Sequence, residues 1–322
     1  MLRLLSIAAA ALLAISGVAA RYDGDDEYDE EDGGLEKRAT ISPIMDGRNF
    51  PDPATIKVAD GWHAFATNIK KDGGWIHVPM AESPDYKKWT YRDGVDAMPK
   101  LAAWVDPDSP RVWAPDVVQL GDGTFIMKLE GPYVDNLKEP WVCPYANGGA
   151  IDPAGYTNKD GTRWVVYKVD GNAVGHGGSC NNNVEPIIST PIMLQQVNAA
   201  DGHTKIGSPI QLIKNDKADG PVVEAPALTH LGGKYVLFFS SNCFATTLYD
   251  VSYATADHIK GPYTKYGPLF VTGTLGMVSP GGLDIAMNGD HAIWHGATSN
   301  GRGSYTALLS MKGNQVIAST LS

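Results

Sequence analysis

One short unit recurs along this chain and restricts the fold more than any other feature. In residues 222–239, Val-Val-Glu224-Ala-Pro-Ala-Leu-Thr-His-Leu-Gly232-Gly233-Lys-Tyr-Val-Leu-Phe-Phe, an acidic residue opens an extended segment. A Gly-rich turn reverses it, and an aromatic, β-branched run follows, which is the pattern of a β-hairpin. The same unit begins at Asp52, at Asp116 and at Asp152, each followed by an Asp-Gly turn, and a weaker copy begins at Asp284. Repetition of short strands and glycine turns over several tens of residues predicts an all-β fold, a five-bladed β-propeller, with each copy opening one blade. A β-sandwich with coincidental turns is the competing architecture, but it gives no reason for a carboxylate to recur with the turn.

The repeat acids lie at 52, 116, 152, 224 and 284, so their spacings are 64, 36, 72 and 60 residues. A four-stranded blade needs about 40 residues or more, so the second interval is too short. Gly131-Pro132-Tyr133 follows Gly123 by eight residues, whereas Gly261-Pro262-Tyr263 follows Gly233 by 28. The expectation is an incomplete second blade, short of about 20 residues between Lys128 and Gly131.

Residues 1–20 combine one Arg, an apolar run and small residues ending Val18-Ala19-Ala20, the pattern of a secretory signal peptide rather than a membrane anchor. Residues 21–38 hold nine acidic and three basic residues and end in Lys37-Arg38, a dibasic processing signal. Such a run cannot bury apolar surface and reads as an acidic pro-segment. It carries much of the formal charge of −10. Residues 39–322 are then the catalytic propeller, a single domain of roughly 280 residues with no linker. No basic stripe argues for nucleic acid, and no Asn-X-Ser/Thr sequence offers an N-glycosylation site. The expected product is a secreted, extracellular monomer without membrane attachment once the signal is cleaved.

Carboxylates at the heads of the inner strands of a propeller converge on its axis, where burial and mutual repulsion are both unfavourable. Solvated turn acids are the competing reading, since Asp before Pro is common in turns. Acid–base hydrolysis of a glycosidic bond is the chemistry that needs such a set: two carboxyls across a sugar ring, one protonated and one ionised. Glu224, the one Glu among four Asp, has the reach of a proton donor.

Pro-Asp52-Pro, Trp-Ala-Pro-Asp116, Gly-Ala-Ile-Asp152-Pro and Val-Glu224-Ala-Pro, in this order, resemble the five-bladed propeller enzymes of glycoside hydrolase family 43, over nearly all of residues 49–311. The resemblance implies an inverting hydrolase of arabinose- or xylose-containing plant cell-wall polysaccharides or oligosaccharides. It implies Asp52 as general base, Glu224 as general acid and Asp152 as the residue that orients the acid and raises its pKa. Related invertase-type propellers carry the acid in Glu-Cys-Pro, from which Val-Glu224-Ala-Pro departs. An inverting pair should stand roughly 6.5 to 9.5 Å apart to admit water.

Asp116 is assigned either to a substrate hydroxyl or, with the stronger claim, to support of the inner strand. Phe50, Trp75 and Trp113 fall on the carboxylate face, either as sugar-stacking platforms or as core residues. Arg302 matches the family's substrate-binding arginine, and His295 resembles the axial histidine that helps hold a calcium or other ion through water. No cofactor is otherwise required. Cys143, Cys180 and Cys243 are an odd set for a secreted chain; the strand count puts Cys180 and Cys243 in loops on one face of adjacent blades, which allows a disulfide between them. An α-L-arabinofuranosidase or arabinanase is preferred over a β-xylosidase, since family xylosidases often carry a further C-terminal β-sandwich. A non-catalytic carbohydrate-binding propeller is the alternative of another class.

Overall fold

The structure, a computed structural model, describes residues 40–126, 138–287 and 289–321. The expected signal and pro-segments, and the expected gap between Lys128 and Gly131, lie outside the described residues. In chain order the strands are β1 (Ala54–Val58), β2 (Gly61–Phe65), β3 (Ile69–Lys71), β4 (Gly74–Ile76), β5 (Met80–Ser83) and β6 (Thr90–Tyr91). Then come β7 (Val118–Gln119), β8 (Phe125–Ile126), β9 (Ala150–Thr157), β10 (Arg163–Val169), β11 (Ile192–Val197) and β12 (Lys205–Ile213). The last eight are β13 (Val223–Leu231), β14 (Lys234–Ser241), β15 (Asp250–Ala256), β16 (Thr264–Phe270), β17 (Gly281–Ile285), β18 (His291–Thr298), β19 (Gly301–Lys312) and β20 (Gln315–Thr320).

These strands form an all-β propeller arrangement of antiparallel meanders: β1-β2-β5-β6, β9 to β12, β13 to β16 and β17 to β20. Four four-stranded sheets stand among the described residues. In place of the second blade there is one short pair, β7 with β8, in the register Val118 opposite Ile126 and Gln119 opposite Phe125. The ribbon β3–β4, which carries Trp75, is an excursion between the second and third strands of the first sheet.

The hydrophobic core lies between neighbouring sheets, because each sheet is apolar on both faces. Trp62 and Ala64 pack with Ile293 between the first and last sheets, while Ile56 and Phe65 face Val117 on the other side. Val236 and Phe238 pack with Leu283 and Trp294, and the alternate residues Leu237 and Phe239 pack with Val166 and Leu194. This alternation is the period of two that a strand buried on both faces requires. The short pair β7–β8 fills a wedge in the same way. Val117 turns to the first sheet, and on the other side Val118 lies so close to Gly155 that a Cβ there would come within 2.6 Å of it.

The backbone corrects one feature of the sequence alignment. Asp52, Ala114, Asp152, Ala225 and Gly282 all have positive φ, between 41° and 60°, and Pro follows the first four. The repeat is therefore in phase at these five residues, not at the five acids. Asp52 and Asp152 sit on the left-handed residue, Glu224 one before it, and Asp116 and Asp284 two after. In three inner strands the ladder slips at this point, next to Asp152, Glu224 and Gly282. A bulge of this kind bends the strand and re-aims its side chains.

Asp116 and Asp284 thus lie deeper along the axis, where each accepts a backbone N–H from the next inner strand: Gly155 N–H to Asp116 at 2.7 Å and Thr55 N–H to Asp284 at 2.7 Å. Burial pushes both carboxyls up, Asp116 to about 6 and Asp284 to about 7, the latter also raised by the charge of Asp116. Groups whose folded pKa is raised stabilise the fold fully below their unfolded pKa, and that contribution is lost as pH rises through the folded value. The double variant Asp116→Asn/Asp284→Asn keeps both acceptors without the charge. Its stability relative to the parent should therefore improve by a few kcal/mol as pH goes from 4 to 8. Urea midpoints at both pH values check this, and a constant difference would mean the pair does not titrate in that window.

Candidate active site

Asp52, Asp116, Asp152, Ala225, Gly282 and Asp284 line one narrow cavity on the propeller axis. Its mouth carries two carboxyl environments of opposite character, set by what the neighbouring loops bring to them. On one side, Asp52 Oδ1 accepts from Arg302 Nη1 at 2.8 Å and Oδ2 accepts from Thr67 Oγ1 at 2.7 Å. Burial alone would raise this carboxyl, but the charge of Arg302 and the hydrogen bonds from Thr67 and Arg302 hold it below the ordinary aspartate value. Thr67 in turn accepts the N–H of Ala114, so the short second unit helps fix Asp52.

On the other side stand Asp152 and Glu224. Asp152 Oδ2 accepts from Ala225 N–H at 2.9 Å, a contact created by the left-handed turn that follows Glu224. Burial, then the charge of Glu224, pushes Asp152 up to about 7 against the opposing pull of Lys168. Glu224 is buried, with Oε1 accepting from Tyr249 Oη at 3.0 Å and Oε2 accepting from Lys168 Nζ at 2.9 Å. The chain leading into it is pinned by Asn182, which donates to the carbonyls of Ile188 and Pro221, and by Thr190, which accepts from Val223 N–H.

The chain belongs to the glycosyl hydrolases family 43. Its family model matches residues 41–307. Among curated proteins, extracellular endo-α-(1→5)-L-arabinanase 1 of Bacillus subtilis (strain 168) is 24% identical over 78% of this chain and 81% of its own. Among solved structures, a thermostable family-43 glycoside hydrolase superposes with a TM-score of 0.67 at 19% identity, covering 88% of this chain and 97% of that one. An endo-1,4-β-xylanase from Bacteroides thetaiotaomicron VPI-5482 gives 0.64 at 21% identity over 84% and 94%. Membership of family 43 makes the protein a glycoside hydrolase, and the likeness to the solved structures extends to the whole propeller.

Within this family-43 frame the expected residues separate into groups. Asp52, Asp152 and Glu224 meet at the axial mouth. Arg302 joins them, as an ion pair to Asp52 rather than as a free loop charge, with Phe244 beneath its guanidinium at 5.7 Å. Phe50 does not join them: it is 0% exposed, packed with Trp62 and edge-on to Tyr91, so the expectation of a sugar platform there is corrected to a core residue. Asp116, for which strand support has the stronger claim, spends its Oδ2 on Gly155 N–H. Trp113 remains exposed at 47% beside Ala114, and Trp75 is half-buried under Lys70.

His295 is buried against Gly282, whose missing Cβ makes its approach feasible: a Cβ there would fall 2.8 Å from the ring. Its Nδ1 accepts the Asp52 backbone N–H at 3.1 Å. Burial, then Arg302, lowers its pKa to about 3, so the ring is neutral and its hydrogen sits on Nε2, which is buried without a partner. A protonated nitrogen does not ligate a metal, but it does donate to water. Among the described residues no group of three or more His, Cys, Asp or Glu is placed to hold an ion. The donors present therefore fit a cation only through water.

Sequence reasoning missed Lys168, Tyr249, Thr67 and Phe244. A Lys inside the apolar run Trp164-Val-Val-Tyr-Lys168-Val was the available signal for the first, since a lysine on such a strand is rarely buried unless paired. Cys180 and Cys243 are bonded to each other, and Cys143 is free and exposed.

Proposed function

We propose that this protein is a secreted, inverting glycoside hydrolase that cleaves arabinose-containing plant polysaccharide, as an arabinanase or α-L-arabinofuranosidase. The observation that carries the reading is the electrical asymmetry of the axial mouth. Asp52 is held ionised by Arg302 and Thr67, while Asp152 opposite, beside Glu224, is pushed up toward keeping its proton by burial and by the Glu224 charge. That is the division between base and acid that inversion requires. Asp52 takes a proton from a water molecule as its oxygen attacks the anomeric carbon. Glu224 gives its proton to the glycosidic oxygen, which leaves with the bonding electron pair. Asp152 orients the turn after Glu224, and Trp75 and Trp113 offer aromatic faces to the sugar. A cation on the axis would be met through water at His295. The extracellular relative supports arabinan as substrate and export as destination.

The propeller is read as five-bladed with its second blade reduced to β7–β8, because five left-handed strand heads ring the axis although only four sheets have four strands. Residues 1–20 are read as signal peptide, 21–38 as pro-segment and 39–322 as a monomeric catalytic domain. A second reading, action on xylan, is favoured by the fold likeness to the Bacteroides endo-xylanase.

Purified protein should release arabinose or arabino-oligosaccharides from arabinan faster than xylose products from xylan. Proton NMR of the first-formed sugar should show the inverted anomer. A retained anomer would overturn the mechanism, and activity on xylan alone would overturn the substrate.

A further inference from the structure

Lys168 lies on β10 with its side chain wholly enclosed, and its ammonium makes two ion pairs, 2.9 Å to Glu224 Oε2 and 2.8 Å to Asp170 Oδ1. A buried ammonium is kept only where partners compensate its desolvation. Here burial would lower the Lys168 pKa, but Glu224, Asp170 and Asp152 outweigh it and raise it above the ordinary lysine value, so the group is a permanent cation. An ammonium has three N–H donors and no lone pair. It therefore bonds Oε2 far better while that oxygen carries no hydrogen, because a protonated carboxyl oxygen is the weaker acceptor. Tyr249 differs, because its hydroxyl can donate to Oε1 or accept from it.

We propose that Lys168 is a positioning residue that decides which oxygen of Glu224 carries the acid proton, reserving it for Oε1 and holding Oε2 as the charge-bearing oxygen. The inference rests on the acid role of Glu224 proposed above. In the bond-breaking step the Oε1 hydrogen passes to the glycosidic oxygen, the C–O electron pair stays with that oxygen, and Glu224 becomes a carboxylate. Its new negative charge then lies 2.9 Å from a cation already in place. Stabilisation that grows as the charge develops accelerates the step rather than merely tightening binding. The charged or titratable groups facing this arrangement are Asp170 from the end of the same strand, Asp152 from β9, Tyr249 from the segment before β15, and Asp52 across the cavity.

The test compares Lys168→Met, Glu224→Gln and the parent on arabinan and on an aryl arabinofuranoside with an activated phenolate leaving group. Lys168→Met should lose about 10²-fold in kcat/KM on arabinan and far less on the activated substrate, because that leaving group departs without a proton. Its alkaline limb should move to higher pH, since a carboxyl without a nearby cation keeps its proton longer. The variant Lys168→Met/Asp170→Asn removes the opposite charges together and must show the same selectivity and limb shift, so a folding defect in the single variant does not decide the matter. If Glu224→Gln discriminates between the substrates and neither lysine variant does, with the limb unmoved, Lys168 is only structural. If Glu224→Gln itself fails to discriminate, the acid assignment falls and takes this inference with it.

Discussion

Replacing Glu224 by Gln is expected to lower kcat/KM on arabinan by about 10²- to 10⁴-fold, the range of general-acid catalysis, and to cost far less on an aryl arabinofuranoside with an activated leaving group. The amide fits the same space. Its oxygen accepts from Lys168 where Oε2 did, and its NH2 meets Tyr249, so the loss is of the proton rather than of the shape. Asp52→Asn should instead depress both substrates alike by a similar factor, because every substrate needs its water activated. An amide at 52 also leaves Arg302 without its counter-charge. Steady-state kinetics on the two substrates decide the assignment. Equal losses for Glu224→Gln on both would show that Glu224 is not the acid.

The sequence made the repeat visible because a carboxylate near Pro and an Asp-Gly turn are short-range signals written into adjacent residues. Pairing of the hairpins followed: the run 222–239 spans β13 and most of β14. What it mistook was phase. The acids were aligned with one another, whereas the backbone keeps step at Asp52, Ala114, Asp152, Ala225 and Gly282, a conformation that no residue letter except glycine announces. That slip of two residues sets Asp116 deeper on the axis than the other acids, as a tie to Gly155. Phe50 failed for a related reason: its neighbour Asp52 faces the cavity, but the chain turns between them and sends the ring into the core. The roles of Lys168 and Tyr249 lie in contacts 56 and 25 residues away, and only Lys168, a charge within an apolar strand, left a local sign of its burial. The disulfide was accessible because counting strands places two loops on one face whatever their distance in sequence.

The short second unit leads to the other large expected effect. Val117 and Phe125 lean on the first sheet, while Val118, and the carbonyl of Gln119 bonded by Arg163 Nη2 at 2.7 Å, face the third unit. Two strands of two residues each, with Ala114, Asp116 and Val117 just before them, make the connection across this wedge described above. A strand pair this short is marginal by itself, and its unpaired edges invite association with other chains. Inserting about 20 residues after Lys128, copied from the corresponding part of the 234–260 segment, should complete a four-stranded blade. The expected result is a higher melting temperature and less aggregate in size-exclusion chromatography. Arabinan hydrolysis should rise as well, because Thr67, which orients Asp52, is anchored to Ala114 at the head of this unit. Wedge packing that is already sufficient would appear as equal melting temperature, solubility and activity in the two chains, and the short unit would then be a tolerated form of the fold.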